Sequence, residues 1–247
     1  GMVVAVADDP SMHSSQNEQD SRYYGKFAQI PVLEPSNQQE AYNMAYMAFE
    51  LSEKCNVPVM IRITTRMGHS RSVVTLKKTK DENKLKLPAD PRQFVLLPGI
   101  ARKQYKKLLA NQPNFELYSD ESEFNQYFEG SDKSLGIIAC GITYNYLMEN
   151  FPNGCPYPIV KVSQYPLPRK LINRLSQETH SFLVLEEGYP IIEELMKGYL
   201  EKVKVKGRLD ATLPRDGELN PDLVAKALVL KINKGTTVPE IVSNRPP

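Results

Sequence analysis

Short apolar runs without polar alternation recur along this chain, and they constrain its fold more than any other feature. Met2 to Ala7, Val57 to Ile63, Phe94 to Leu97, Leu135 to Cys140, Pro158 to Val162 and Ser181 to Leu185 each read as a strand. Runs of this kind fit strands covered on both faces, the way parallel sheets are built. Helical periods lie between them. Ser36 followed by Gln39 has a capping-box pattern, and Ala41, Met44, Ala45, Ala48, Leu51 and Ser52 then share one face, which predicts a helix of about five turns. Pro58 restarts the chain as a strand, because proline discourages helix continuation.

The second half repeats the alternation. After Leu135–Cys140, Gly141 reads as a tight turn and Thr143 as the N-cap of a short helix over Tyr144–Asn150, stopped by Pro152, Asn153 and Gly154. Helices are expected over Arg169–Ser176 and Ile191–Tyr199, and right-handed crossovers make this series a doubly wound sheet. Lys77 to Arg92, with its KKTKDENKLK string, reads as a solvated linker, and amphipathic helical pieces are expected around Tyr105, Leu108, Leu109 and Phe115. Asn220 and Pro221 mark a further helix start. The expected class is therefore α/β: a partial parallel sheet over 1–76, a linking section over 77–133, a doubly wound domain over 134–206 and a tail over 207–247.

The 31 basic and 29 acidic side chains leave a net charge of +2, too little to draw in phosphate backbones or anionic lipid. No apolar run is long enough to span a bilayer, and a cytoplasmic protein with no nucleic-acid or membrane partner is expected. Cys55, Cys140 and Cys155 are far apart, lack metal-binding spacing and read as reduced packing thiols, with Cys155 in a Gly-Cys-Pro turn.

The densest polar signal runs from Asp8 to Asp20 directly after a strand, where ligands bind in open parallel sheets. The plain alternative is that these residues cap a helix starting near Ser14 or Ser15. A second polar segment, Arg62 to Arg71, also leaves a buried-type strand, and its arginines, His69 and hydroxyls could hold a carboxylate or phosphate or simply form a solvated loop. Glu186 and Glu187 could put one carboxylate into an interface or site, but the plainer reading is a solvated turn whose charge favours the next helix start. Hydrolase, zinc and glycine-rich nucleotide motifs are missing from the sequence.

The strings VVAVADDPSMHSSQNEQDSRYYGKFAQIPVLEPSNQQEA and PVMIRITTRMGHSRSVV resemble the later half of the pyrimidine-binding domain of the indolepyruvate ferredoxin oxidoreductase alpha-subunit family. LGIIACGITYNYLMENFP, VSQYPLPRKLI and FLVLEEGYPIIEELM are similar to that family's transketolase C-terminal-like domain, and GRLDATLPRDGELNPDLV to the segment after it. The resemblance implies thiamine diphosphate-dependent oxidative decarboxylation of an aryl 2-oxo acid such as indolepyruvate, giving an acyl coenzyme A and passing electrons to ferredoxin. It implies a beta subunit, ferredoxin, coenzyme A and aryl pyruvate as partners, with self-association through exposed strand edges also open. His13, as the proton-handling group, with Ser14, Gln16, Asn17, Arg66 and His69, would face substrate and thiamine ring. The family's upstream glutamate, its magnesium and diphosphate segment and its 4Fe-4S cysteine motifs have no counterpart in the sequence. An internal fragment without turnover or tight cofactor binding of its own is therefore expected. A non-catalytic α/β assembly module is the alternative.

Overall fold

The computed structural model describes residues 1–231 apart from 83, 85, 200–203 and 215–216, so the terminal NRPP lies outside the described residues. The first half carries β1 (Val3–Asp8), α1 (Ser21–Ala28), β2 (Val32–Leu33), α2 (Gln38–Cys55), β3 (Val59–Thr64) and α3 (Thr65–His69). The connecting section holds α4 (Pro98–Asp120) and β4 (Gln126–Phe128). The second half contributes β5 (Gly136–Cys140), α5 (Thr143–Glu149), β6 (Ile159–Val162), β7 (Gln164–Tyr165), α6 (Arg169–Glu178), β8 (Ser181–Leu185), α7 (Ile191–Tyr199), β9 (Lys204–Lys206) and α8 (Pro221–Ala227). The fold is α/β, as the apolar runs require.

Two sheets form, ordered β1-β3-β2-β7 and β4-β6-β5-β8-β9. In the first, β1 and β2 both lie parallel to β3, while β7 joins β2 antiparallel and so brings a strand from the second half into the first sheet. The second sheet is parallel through β6, β5, β8 and β9. Its central strands are buried throughout, as expected of strands covered on both faces. β1 departs from that expectation: it is an edge strand, and Ala5 and Ala7 are exposed. The core is continuous across the halves, since Val32 and Met60 pack in one cluster with Ile138, Val160, Phe182 and Ile192. Each such buried side chain contributes roughly 1.5–3 kcal/mol of hydrophobic stabilisation.

Local chemistry corrects several expected boundaries. α2 is capped by Asn37, not Ser36: the Asn37 side chain accepts from the Glu40 N–H at 2.9 Å, while Ser36 donates its N–H and hydroxyl to the Glu40 carboxylate. Glu40 outweighs Gln39 there because its charge is also met by Lys161 Nζ at 2.6 Å. Phe94–Leu97 is no strand. Pro91 opens a 3-10 turn, Pro98 starts α4, and Leu96 between them has no neighbour strand to cover it. The helical pieces expected around Tyr105 to Phe115 fuse into the single helix α4, which continues through Pro113 and is anchored by buried Phe115 and Ser119. Thr143 does not cap α5 from outside. It begins the helix, and its hydroxyl oxygen accepts from the Cys140 N–H at 3.0 Å while its one proton lies between the Leu185 and Cys140 carbonyls, at 2.7 and 2.8 Å.

Candidate functional site

The polar segment after β1 contains no helix near Ser14, so the capping alternative fails there: α1 begins at Ser21 under an Asp20 cap. Instead the chain turns tightly. Ser11 and Met12 both adopt left-handed backbone, at φ 73° and 51°, a conformation that non-glycine residues rarely take in succession. The Asp9 carboxylate holds this turn by accepting from the N–H groups of Ser14 and Ser15 at 2.8 Å each and from the Thr65 hydroxyl at 2.6 Å. Burial opposes ionisation of Asp9, but these donors outweigh it and hold the carboxyl well below its ordinary range. The loop after β1 is thus tied to the start of α3 after β3, because the parallel register sets Asp8 beside Thr64.

Two of the predicted residues meet there. His13 Nε2 lies 3.2 Å from Glu218 Oε2, and Arg66 donates from Nε and Nη2 to the two oxygens of the same carboxylate at 2.7 Å. Glu218 comes from the segment before α8, which is fastened by buried Leu219 and by a Gly217 N–H donating to Glu18. The Arg66 guanidinium lies 5.7 Å above the Tyr146 ring of α5, a cation–π arrangement. The Tyr146 hydroxyl reaches Glu187 Oε1 at 3.3 Å.

Beneath this cradle lies a sealed ionic clamp. Arg22 donates to Asp20, to Glu186 at 2.9 Å, and to the carbonyls of Glu187 and Tyr189. Arg62 donates to Asp8 at 2.5 Å, to Glu34 and to the Glu187 carbonyl. Glu34 also accepts from the Tyr165 hydroxyl of β7 at 2.6 Å. Arg62 is therefore a structural side chain rather than a candidate anion binder. The solvated turn expected at Glu186 and Glu187 is likewise corrected, since both carboxyls are buried just past the end of β8. Burial pushes each up to about 7, against the pull of Arg22 on Glu186 and of Arg62 on Glu187, and the nearby Glu218 carboxylate raises Glu187 further. Apart from Asp20 and Arg22, the members of these pairings stand far apart along the chain, so the sequence carried no local sign of them.

The other predicted residues are not part of the cradle. Ser14 is exposed and uses its backbone; Gln16 and Asn17 are exposed beside it, with Asn17 accepting from Gln19. His69 is exposed at the end of α3. None of the six lines the cavity of about 560 Å³ between α1, α4, α6 and α7, which is walled by Val32, Phe115, Ile172 and Ile192. Among the described residues, no group of three or more His, Cys, Asp or Glu side chains is placed to hold a metal ion. The three cysteines are unpaired, and burial raises each thiol above its ordinary range, Cys55 to about 11. Cys155 is half-buried rather than open. No described helix is long and apolar enough to cross a membrane.

Residues 7–116 match the family described as pyruvate flavodoxin/ferredoxin oxidoreductase, thiamine diP-binding. The indolepyruvate oxidoreductase subunit IorA of Methanothermobacter thermautotrophicus is 38% identical over the whole of this chain, and that of Archaeoglobus fulgidus is 40% identical over 94% of it. This chain is a homologue of part of the IorA subunit. It spans 42% of the first of these IorA proteins and 38% of the second. A 2-oxoglutarate:ferredoxin oxidoreductase from Magnetococcus marinus, solved with 2-oxoglutarate, coenzyme A and succinyl-CoA bound, shares the fold at a TM-score of 0.59 and 14% identity. That likeness covers 91% of this chain and 48% of the larger one. The segment matched to the thiamine-binding family contains His13 and Arg66, whereas Tyr146, Glu187 and Glu218 lie beyond it and within the IorA-like span.

Proposed function

We propose that this chain contributes the substrate-facing loops of an indolepyruvate-type ferredoxin oxidoreductase, which converts an aryl 2-oxo acid to an acyl coenzyme A and passes electrons to ferredoxin. One observation carries this reading: the loops leaving parallel strands β1 and β3 meet in a single cradle, the Arg66 guanidinium beside the His13 ring, at the carboxyl ends of the strands. A guanidinium fork is complementary to the carboxylate that every 2-oxo acid presents. Ser14, Gln16, Asn17 and His69, on the same loops, supply further donors to substrate or coenzyme.

The polar groups of these loops fit contacts with the thiamine ring, as the match over residues 7–116 supports. Magnesium does not fit the donors among the described residues, and the 4Fe-4S clusters do not fit three separated cysteines. Those groups belong to other parts of the assembly, which includes a beta subunit. Thiamine diphosphate supplies the electron sink for decarboxylation when bound. The residues here orient the acid through Arg66, offer an exchangeable proton at the His13 imidazole and displace water from the reacting carbon. We divide the chain into the later part of a pyrimidine-binding domain (1–76), a linking section (77–133), a transketolase C-terminal-like domain (134–206) and a following tail (207–247). The isolated chain is expected not to turn over.

The test uses the full-length subunit assembled with its partners. Arg66→Gln raises the KM for indolepyruvate on the order of tenfold, the loss of one charge-assisted carboxylate contact. An unchanged KM in a folded variant removes the cradle from substrate binding.

A further inference from the structure

We infer that Glu218 is a built-in occupant of the Arg66–His13 cradle, a specificity-setting carboxylate that an incoming substrate carboxylate must displace. The inference deepens the proposed function and rests on it, because it names what fills the anion site before the acid arrives.

Three observations support exchange rather than a permanent tie. The first is chemical identity. Glu218 is held by both donors of the Arg66 fork at 2.7 Å and approached by His13 at 3.2 Å, the arrangement a free carboxylate would adopt. The second is access. The Arg66 side chain is 37% exposed, His13 24% and Glu218 12%, whereas Arg62 with its Asp8 partner is fully sealed. A solvent-reached pair exchanges partners at little expense, but a sealed pair cannot without stranding a charge.

The third observation is the tether. Leu219 is buried, the Asn220 side chain caps α8, and the Gly217 carbonyl accepts from Arg208 at 3.0 Å, so the backbone on both sides of Glu218 is fastened. Rotation of one side chain vacates the cradle. The N–H groups of Ser14 and Ser15 are committed to Asp9, and the Glu218 carboxylate is met instead by the Arg66 fork and the His13 ring.

An internal competitor lowers apparent affinity by the fraction of time it occupies the site. It also sets a threshold: a ligand must bring its own carboxylate and enough ring contact to compete. Removing the competitor therefore tightens carboxylate binding. A purely structural latch behaves in the opposite way, because its loss lets the cradle drift and weakens binding. The two roles differ in sign.

The experiment compares wild type, Glu218→Gln, Arg66→Gln and the double variant in the full-length assembled enzyme. It measures the KM for indolepyruvate and the inhibition constant of indole-3-acetate, an aryl carboxylate that lacks the keto group. Thermal melts confirm that each variant is folded. The expected result is a three- to tenfold fall in both constants for Glu218→Gln and a rise for Arg66→Gln whether or not Glu218 is present. If Arg66→Gln raises both constants while Glu218→Gln raises them or leaves them fixed, exchange is overturned and the proposed docking site stands. If Arg66→Gln changes neither constant, the docking site itself fails and the exchange falls with it.

Discussion

Two arginine–carboxylate constellations sit a few residues apart in this molecule, and their chemistry is nearly the same while their circumstances are opposite. Arg22 and Arg62 are sealed among Asp8, Asp20, Glu34 and Glu186, with their donors spent on protein acceptors. Arg66 grips Glu218 at the rim, within reach of water. Both fix loops at the ends of parallel strands. Only the second can trade its partner for something else, so what separates scaffold from site here is access rather than residue type.

The comparison breaks most visibly at Arg62. Arg62→Met leaves the Asp8 and Glu34 carboxylates buried without their cation, and urea denaturation is expected to show a loss of about 3–5 kcal/mol or failure to accumulate as folded protein. A loss no larger than that of a surface variant would show that the clamp is not sealed in solution.

Next in size is a pH dependence. Glu186 and Glu187 titrate near 7 when folded and in the ordinary carboxyl range when unfolded, so between those values the folded chain binds more protons than the unfolded one. Stability then falls as pH rises through that window, and the urea midpoint should be lower at about pH 8 than at about pH 5. Glu187→Gln should flatten the slope. Asp9 and Asp20, held low, contribute stability that is lost only as pH falls into the acidic range, outside this window. A midpoint rising from about pH 5 to about pH 8 would contradict the burial of the pair.

The smallest effect sharpens the contrast. Arg66→Gln removes a pair that is more than a third exposed on the arginine side, so its stability change should stay under about 1 kcal/mol even while substrate binding suffers. A thermal shift as large as that of Arg62→Met would make Arg66 part of the scaffold.

Much of this was legible in sequence. The apolar runs gave β1, β3, β5, β6 and β8, because an unbroken run of apolar side chains is legible residue by residue, even at the sheet edge where β1 leaves Ala5 and Ala7 exposed. The His13 and Arg66 loops were each legible as a polar segment leaving a strand, and the parallel register of β1 and β3 brings them together. Short strands were silent: β2 and β7 are two residues each, and nothing in Val32–Leu33 or Gln164–Tyr165 announces a partner. Phe94–Leu97 misled for the opposite reason, being apolar but exposed between two prolines. Glu218 went unnoticed although Asn220 and Pro221 marked the helix beside it, since its importance lies in a contact 152 residues away.

The antiparallel pairing of β7 with β2 bears on how the halves relate mechanically. Glu34 N–H donates to the Ser163 carbonyl at 2.8 Å beside that pairing, and Lys161 reaches Glu40 across the same seam. Residues 70–90 link the halves along the chain, yet that stretch is no axle about which two bodies swing. Any force applied to one half is carried into the other by the backbone of a shared sheet, and a nick in that stretch would leave two pieces still stitched together.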